Sequence, residues 1–236
     1  MRAEYRQNAL RLLRKGKWFG ELPEELQHLL LDNSMLRLAE KNQVLIAEDT
    51  YPTGMFAMLE GQVAITRQIG NKEDYFFHLG GPGFWFGENS LLSQESTVIT
   101  ATARTKVRLL FLPTSSFEQI VNNNHRYYKL FVKLMLARYA IVIRTLGLSN
   151  TLPPEEFLRI RLADLSDMIH SEGFSEDVVD LALSQTDLAA MIGASRQTIN
   201  MLLKKLESEG LIEVAFRKIR ILNPVALRGE RRKTGV

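Results

Sequence analysis

Between Ser195 and Lys204 the stretch SRQTINMLLK places an arginine, two carboxamides and two hydroxyls within six residues, and a lysine one turn further on. Wound as a helix and continued to Leu206, it turns Ile199, Leu202, Leu203 and Leu206 to one side and leaves Arg196, Gln197, Asn200 and Lys204 on the other. An arginine fork can bond guanine O6 and N7, and a Gln or Asn carboxamide can do the same for adenine N6 and N7. The hydroxyls of Ser195 and Thr198 and the ammonium of Lys204 suit backbone phosphates. The chemistry expected is therefore recognition of double-stranded DNA, with no catalytic residue.

Such a face works only if a preceding helix braces it. LSQTDLAAMIGAS supplies one: Ser184 reads as an N-cap with Asp187 three residues later, and Leu188, Ala189 and Ile192 form an apolar face. Gly193 ends that helix, because glycine enters left-handed dihedrals without a Cβ clash. Ser195 caps the second helix and Gly210 closes it. Helix, glycine turn, helix is the spacing of a helix-turn-helix. IEVAF and KIRIL then bracket Arg217 and Lys218 as a hairpin wing with charge at its tip. The competing reading is a plain αα-hairpin with a solvated polar face.

Charge is distributed unevenly along the C-terminal half. Thr151–Ala194 holds two basic against nine acidic residues, and Ser195–Val236 ten basic against four acidic. The second segment suits a phosphate-facing surface, although Arg228–Lys233 alone reads as a solvated tail. Hydrophobic residues make up 45% of the 236-residue chain, enough for one large or two small cores. With no cysteine, cysteine-ligated iron–sulfur clusters, Cys zinc sites and thiol nucleophiles are excluded, and a reducing cytoplasm is the expected setting. No apolar run is long enough for a membrane span, and the N-terminus lacks the pattern of a secretory signal.

The N-terminal half reads differently. Helical segments run to about Ala39. From Gln43 to Leu112 alternating apolar residues and glycine punctuation suggest strands at 44–46, 55–59, 62–69, 74–79 and 106–112, an antiparallel roll. A long helix follows, roughly Asn124 to Leu148, too apolar for one contact. Leu130, Leu134, Ala137, Ile141 and Leu148 mark one stripe near coiled-coil spacing, and Phe131, Met135, Tyr139 and Val142 a second. We expect one stripe against the roll and the other against a twin helix, which makes a homodimer; burial within one monomer is the alternative. SNTLPPEE breaks the helix and marks a hinge.

Taken together, FGENSLL (86–92), MLEGQV, ITATARTKVRLLFLP and SRQTINMLLKKLESEGLI resemble the Crp/Fnr superfamily of bacterial transcription regulators, over nearly the whole chain from Leu22 to Leu227. The resemblance implies an α+β fold: a β-roll sensor of the cyclic-nucleotide-binding jelly-roll type with N-terminal helices (1–123), a dimerisation helix (124–150) and a winged helix-turn-helix (151–236). It also implies a small-molecule effector in the roll and RNA polymerase as a partner. Gly87, Glu88, Asn89 and Ser90 stand where nucleotide-binding members hold ribose and phosphate, and Thr97 and Val98 where those members carry a phosphate-binding Arg followed by Ser or Thr.

Without that guanidinium a buried phosphate lacks its charge-assisted bond, so ordinary cyclic AMP binding is not expected. Arg104 is the nearest substitute, and Thr145 lies near the helix position that touches the base. The effector stays unidentified from sequence. The later arginine by which many members read guanine is Met201 here.

Other chemistry finds no support. His28, His78, His125 and His170 lack metal-ligand spacing, and LGGPGFWFGE is no P-loop because no Gly-Lys-Ser/Thr follows. Phe84, Trp85 and Phe86 are expected in the core or the effector-pocket wall. A signalling module that binds a ligand and acts on protein partners without reading DNA is the alternative function.

Overall fold

The computed structural model describes residues 3–51, 53–68, 75–171 and 178–228. Ile69, the Gly70-Asn71 turn, Asp74, the 172–177 part of the polar link and the basic tail Arg231–Lys233 lie outside them, as does the His170 side chain.

Three helices open the chain: α1 (Ala3–Leu13), α2 (Lys17–Gly20) and α3 (Glu24–Asp32). The roll consists of two four-stranded sheets, antiparallel throughout. One runs β1 (Met35–Ala39), β8 (Val107–Pro113), β3 (Gly54–Glu60), β6 (Trp85–Phe86). The other runs β2 (Val44–Ile46), β7 (Thr100–Ala103), β4 (Val63–Arg67), β5 (Tyr75–Gly80). Side chains alternate across a pleated strand. Phe56 and Met58 of β3 and Leu109 and Phe111 of β8 therefore fill the space between the sheets. Their neighbours Met55, Ala57, Leu110 and Leu112 face outward and are buried under the N-terminal helices and α5 (Thr114–Asn123). Burial on both faces explains the nearly unbroken apolar runs of these two strands.

Five strands match the sequence reading to within a residue or two. β1, β6 and β7 were not foreseen, nor were α4 (Glu88–Ser93) and α5. β6 is two residues long and β7 reads TATA, too little apolar alternation to register.

The expected helix 124–148 is instead a 3-10 turn, His125–Tyr127, leading into α6 (Tyr128–Thr151). Phe131 and Leu134 are buried against the roll, and the Trp18 indole N–H donates to the Leu130 carbonyl at 2.8 Å. The stripes must be reassigned. Leu130 and Leu134 of the first stripe and Phe131 of the second all pack on the roll, while Val132, Leu136, Tyr139, Ile143 and Leu146 are exposed. Their steps of 4, 3, 4 and 3 residues form the a/d pattern of a coiled coil. Sequence alone could not decide which apolar stripe the roll would take.

After Leu152 the chain enters α7 (Pro154–Ser171), β9 (Val179–Leu181), α8 (Gln185–Ile192), α9 (Arg196–Ser208), β10 (Ile212–Ala215), β11 (Lys218–Ile221) and α10 (Pro224–Leu227). Strands β10, β11 and β9 form a small antiparallel sheet in that order. This unit docks on the roll: Phe76 and Leu79 of β5 share a buried cluster with Leu162, Ile169 and Leu188. Polar groups fix the register. Gln62 donates through Nε2 to the Asp180 carbonyl at 2.6 Å and accepts from the Ala182 N–H at 2.7 Å. Buried Arg161 donates to the Phe77 carbonyl at 3.0 Å, and burial lowers its pKa.

Candidate nucleic-acid interface

The local signals around α8 and α9 take the form their sequence implies. Ser184 and Asp187 make a reciprocal capping box, with Asp187 N–H to Ser184 Oγ at 3.1 Å and Ser184 N–H to Asp187 Oδ2 at 2.7 Å. Gly193 has φ of 72°, the left-handed region that closes α8 and reverses the chain. Ser195 Oγ accepts from the Thr198 N–H at 3.0 Å and lies 2.8 Å from Thr198 Oγ1. One hydroxyl donates to the other, which leaves one proton of the pair for a phosphate oxygen.

Ile199, Leu202, Leu203 and Leu206 are buried, while Arg196, Gln197, Asn200, Met201 and Lys204 are exposed. Among the described residues, the side chains of Arg196, Gln197, Asn200 and Lys204 have no hydrogen-bonding or ionic partner. Neighbouring cations are committed elsewhere. Lys205 donates to Glu155 at 2.7 Å and so lowers the Glu155 pKa. Arg220 and Lys218 both bond Asp180, each at 2.8 Å. Arg228 pairs with Asp167, and so is a docked residue and not part of a solvated tail.

Much of the acidic 151–194 segment therefore neutralises the basic segment that follows it. Among the described residues from Ser195 onward, Arg196, Lys204 and Arg217 are the cations left outward and unpaired. Arg217 sits at the wing turn with φ of 54°, beside the exposed Phe216. Lys218, expected as a phosphate contact at the wing tip, is instead held by Asp180.

In the roll, Gly87 takes φ of 94° as the N-cap of α4, and an added Cβ would stand 2.9 Å from the Gly54 carbonyl oxygen. Glu88 is 1% exposed and Ser90 is buried, whereas Asn89 is exposed. Thr97 is buried with its hydroxyl donating to the Ala47 carbonyl at 2.5 Å, and Val98 is exposed. Arg104 does not face this site. Its guanidinium lies 2.5 Å from Asp187 of α8, bracing the helix-turn-helix on the roll. Thr145 is half-buried on α6, beyond Ile141, the last α6 residue lining the adjoining cavity.

The residue sequence reasoning missed is Arg138. It reaches from α6 to pair with Glu88, donates to the Trp85 carbonyl, and lies 5.0 Å over the Phe84 ring. An arginine amid apolar helix residues is the available signal, but its partner is 50 positions away in the chain. Glu88 Oε2 has no hydrogen-bond partner. Next to this pair a cavity of about 290 Å³ lies between α2, the 83–85 turn, α6 and Met168. Phe84 and Trp85 line that cavity, and Phe86 is in the roll core.

His78 stands between these parts, 4.8 Å from the Phe84 ring. Burial, and then the nearby Arg161 and Arg138 cations, push its pKa down to about 3. The folded state thus favours neutral imidazole, and the unfolded chain takes up the proton first as pH falls below about 6.5. Stability is expected to drop by on the order of 1–2 kcal/mol between pH 7 and pH 5. Urea unfolding of wild type and His78→Gln checks this. An equal pH dependence in both would assign the effect to other groups.

Among the described residues no His/Cys/Asp/Glu group could hold a metal ion, and no helix is long and apolar enough to cross a membrane.

Family models agree with both halves. The cyclic nucleotide-binding domain model matches residues 36–124 and the Crp-like helix-turn-helix domain model residues 156–230. The HTH-type transcriptional regulator Cmr of Mycobacterium tuberculosis is 28% identical over 148 residues, 62% of this chain but only 56% of that protein's length. The probable transcriptional regulator flp of Lacticaseibacillus casei is 24% identical over 189 residues, covering 79% of this chain and 83% of the relative. Among solved structures, FixK2 from Bradyrhizobium japonicum has a TM-score of 0.69 at 17% identity, covering 82% of this chain and 95% of FixK2, a likeness of fold.

Proposed function

We propose, from the premise that this chain belongs to the Crp/Fnr superfamily of transcription regulators, that it is a dimeric DNA-binding regulator, and no enzyme, that reads its operator through α9. The observation that carries this reading is the outward face of α9: one arginine, two carboxamides and a lysine, exposed and unpartnered while the adjacent cations are tied down. Arg196, Gln197 and Asn200 reach base edges; Ser195, Thr198, Lys204 and Arg217 hold phosphates. The exposed α6 seam pairs two copies, so the operator is a palindrome of two half-sites. The described residues divide into a sensor up to 123, the pairing helix, and the DNA-reading unit from 151. Cytoplasmic location and contact with RNA polymerase follow from the family's role. Selection of binding sites from random duplexes tests the proposal: a two-fold symmetric motif is expected, and recovery of no motif would favour a module acting on proteins.

The effector is a small molecule bound in the roll, other than cyclic AMP. No guanidinium stands at Thr97 or Val98, Arg104 is bonded to Asp187, and Glu88 is already paired with Arg138. A cyclic phosphate would enter without a cationic partner, which is costly in a buried site. Calorimetric titration with cyclic AMP is expected to show no saturable binding up to about 1 mM. Micromolar affinity would overturn this, and Arg138 would then be the cation to mutate.

A further inference from the structure

Met201 is 63% exposed on the same outward face as Gln197, one turn before it, and Lys204, one turn after it. Every other large apolar side chain of this helix is buried. Met201 has no donor or acceptor capable of fixing a base edge, since its thioether accepts only weakly. It is, however, long, unbranched and able to settle against an uneven apolar surface.

The major groove offers one such surface, the C5-methyl group of thymine. We infer that Met201 is a specificity-determining residue that packs on a thymine methyl and selects a T·A pair at one position of each half-site. This rests on the reading that α9 enters the major groove. Gln197 and Asn200 beside it carry carboxamides that pair with adenine, so the three residues together favour an A·T-containing stretch next to the base read by Arg196. A guanine at the Met201 position would leave O6 and N7 without the donors that an arginine provides.

The test uses the full-length protein and the motif selected from random duplexes. Each thymine of one half-site and its symmetry mate is replaced in turn by deoxyuridine, which removes the methyl and keeps every hydrogen bond. At one thymine the wild-type protein is expected to lose about fourfold in affinity per half-site, the factor that one buried methyl corresponds to. Met201→Ala, which leaves the core untouched because the side chain is exposed, should bind the thymine and deoxyuridine duplexes equally. Met201→Arg should move the preference at that pair from T·A toward G·C. If no thymine is sensitive, or if Met201→Ala is as sensitive as wild type, the inference fails while DNA reading stands. If no motif is selected at all, both fail.

Discussion

Replacing Arg196 with alanine should weaken binding to the selected operator by roughly 5- to 150-fold, the equivalent of about 1–3 kcal/mol. Arg196 is the first residue of α9, exposed, and free of any carboxylate among the described residues. The variant therefore loses its contacts with DNA without disturbing an internal ion pair. Because a bidentate arginine distinguishes guanine from other bases, discrimination at one base pair of each half-site should relax as well. Fluorescence-anisotropy titrations with the operator, with single-pair variants and with random duplex separate the two effects. An equal loss on random DNA would mean that Arg196 touches only phosphate, and base reading would then pass to Gln197 and Asn200. Lys205→Ala provides a contrast: its ammonium is held by Glu155, so little change in operator affinity is expected.

Glutamate at two seam positions, Leu136→Glu with Ile143→Glu, should raise the dimer dissociation constant at least about a thousandfold, some 4 kcal/mol. Leu136 and Ile143 are 60% and 49% exposed in the single chain, so the substitutions cost little in the fold of one copy. In a paired helix the same positions are buried, and the carboxylates would meet their symmetry mates without cations. Light scattering should report a folded monomer, and affinity for the two-half-site operator should fall with it while a single half-site is bound about as before. The matching change at Leu130 and Leu134 should act differently. Leu134 is buried against the roll, so its replacement destabilises the monomer itself. A double glutamate variant that stays dimeric would place the interface elsewhere.

The effector side of the molecule shows why linear spacing has limits. Gly87 and Glu88 announce their turn by type and order, and the left-handed φ at Gly87 is what a glycine before a short helix permits. The cation that answers Glu88 comes from α6, and no periodicity links the two. Arg104 shows the reverse: near in sequence to the expected site, it sits in the bend after β7 and is spent on Asp187 of α8. In both cases the direction of a side chain is set by a strand or helix packed far from it in the chain.

What the sequence determined by itself is local: caps at Ser184 and Ser195, glycine turns at Gly193 and Gly210, and the segregation of Ile199, Leu202, Leu203 and Leu206 from the polar face of α9. Those signals depend on backbone groups and side chains within four residues of each other, so no distant part of the chain can revise them. Tertiary structure decided which stripe of α6 the roll consumes, which leaves Val132 to Leu146 as the open seam. It decided as well which cations are neutralised by the acidic segment before them, and which residue meets the buried Glu88. Each of those outcomes is a competition between alternative partners for the same apolar or charged group, and only the packed chain determines which partner is close enough to win.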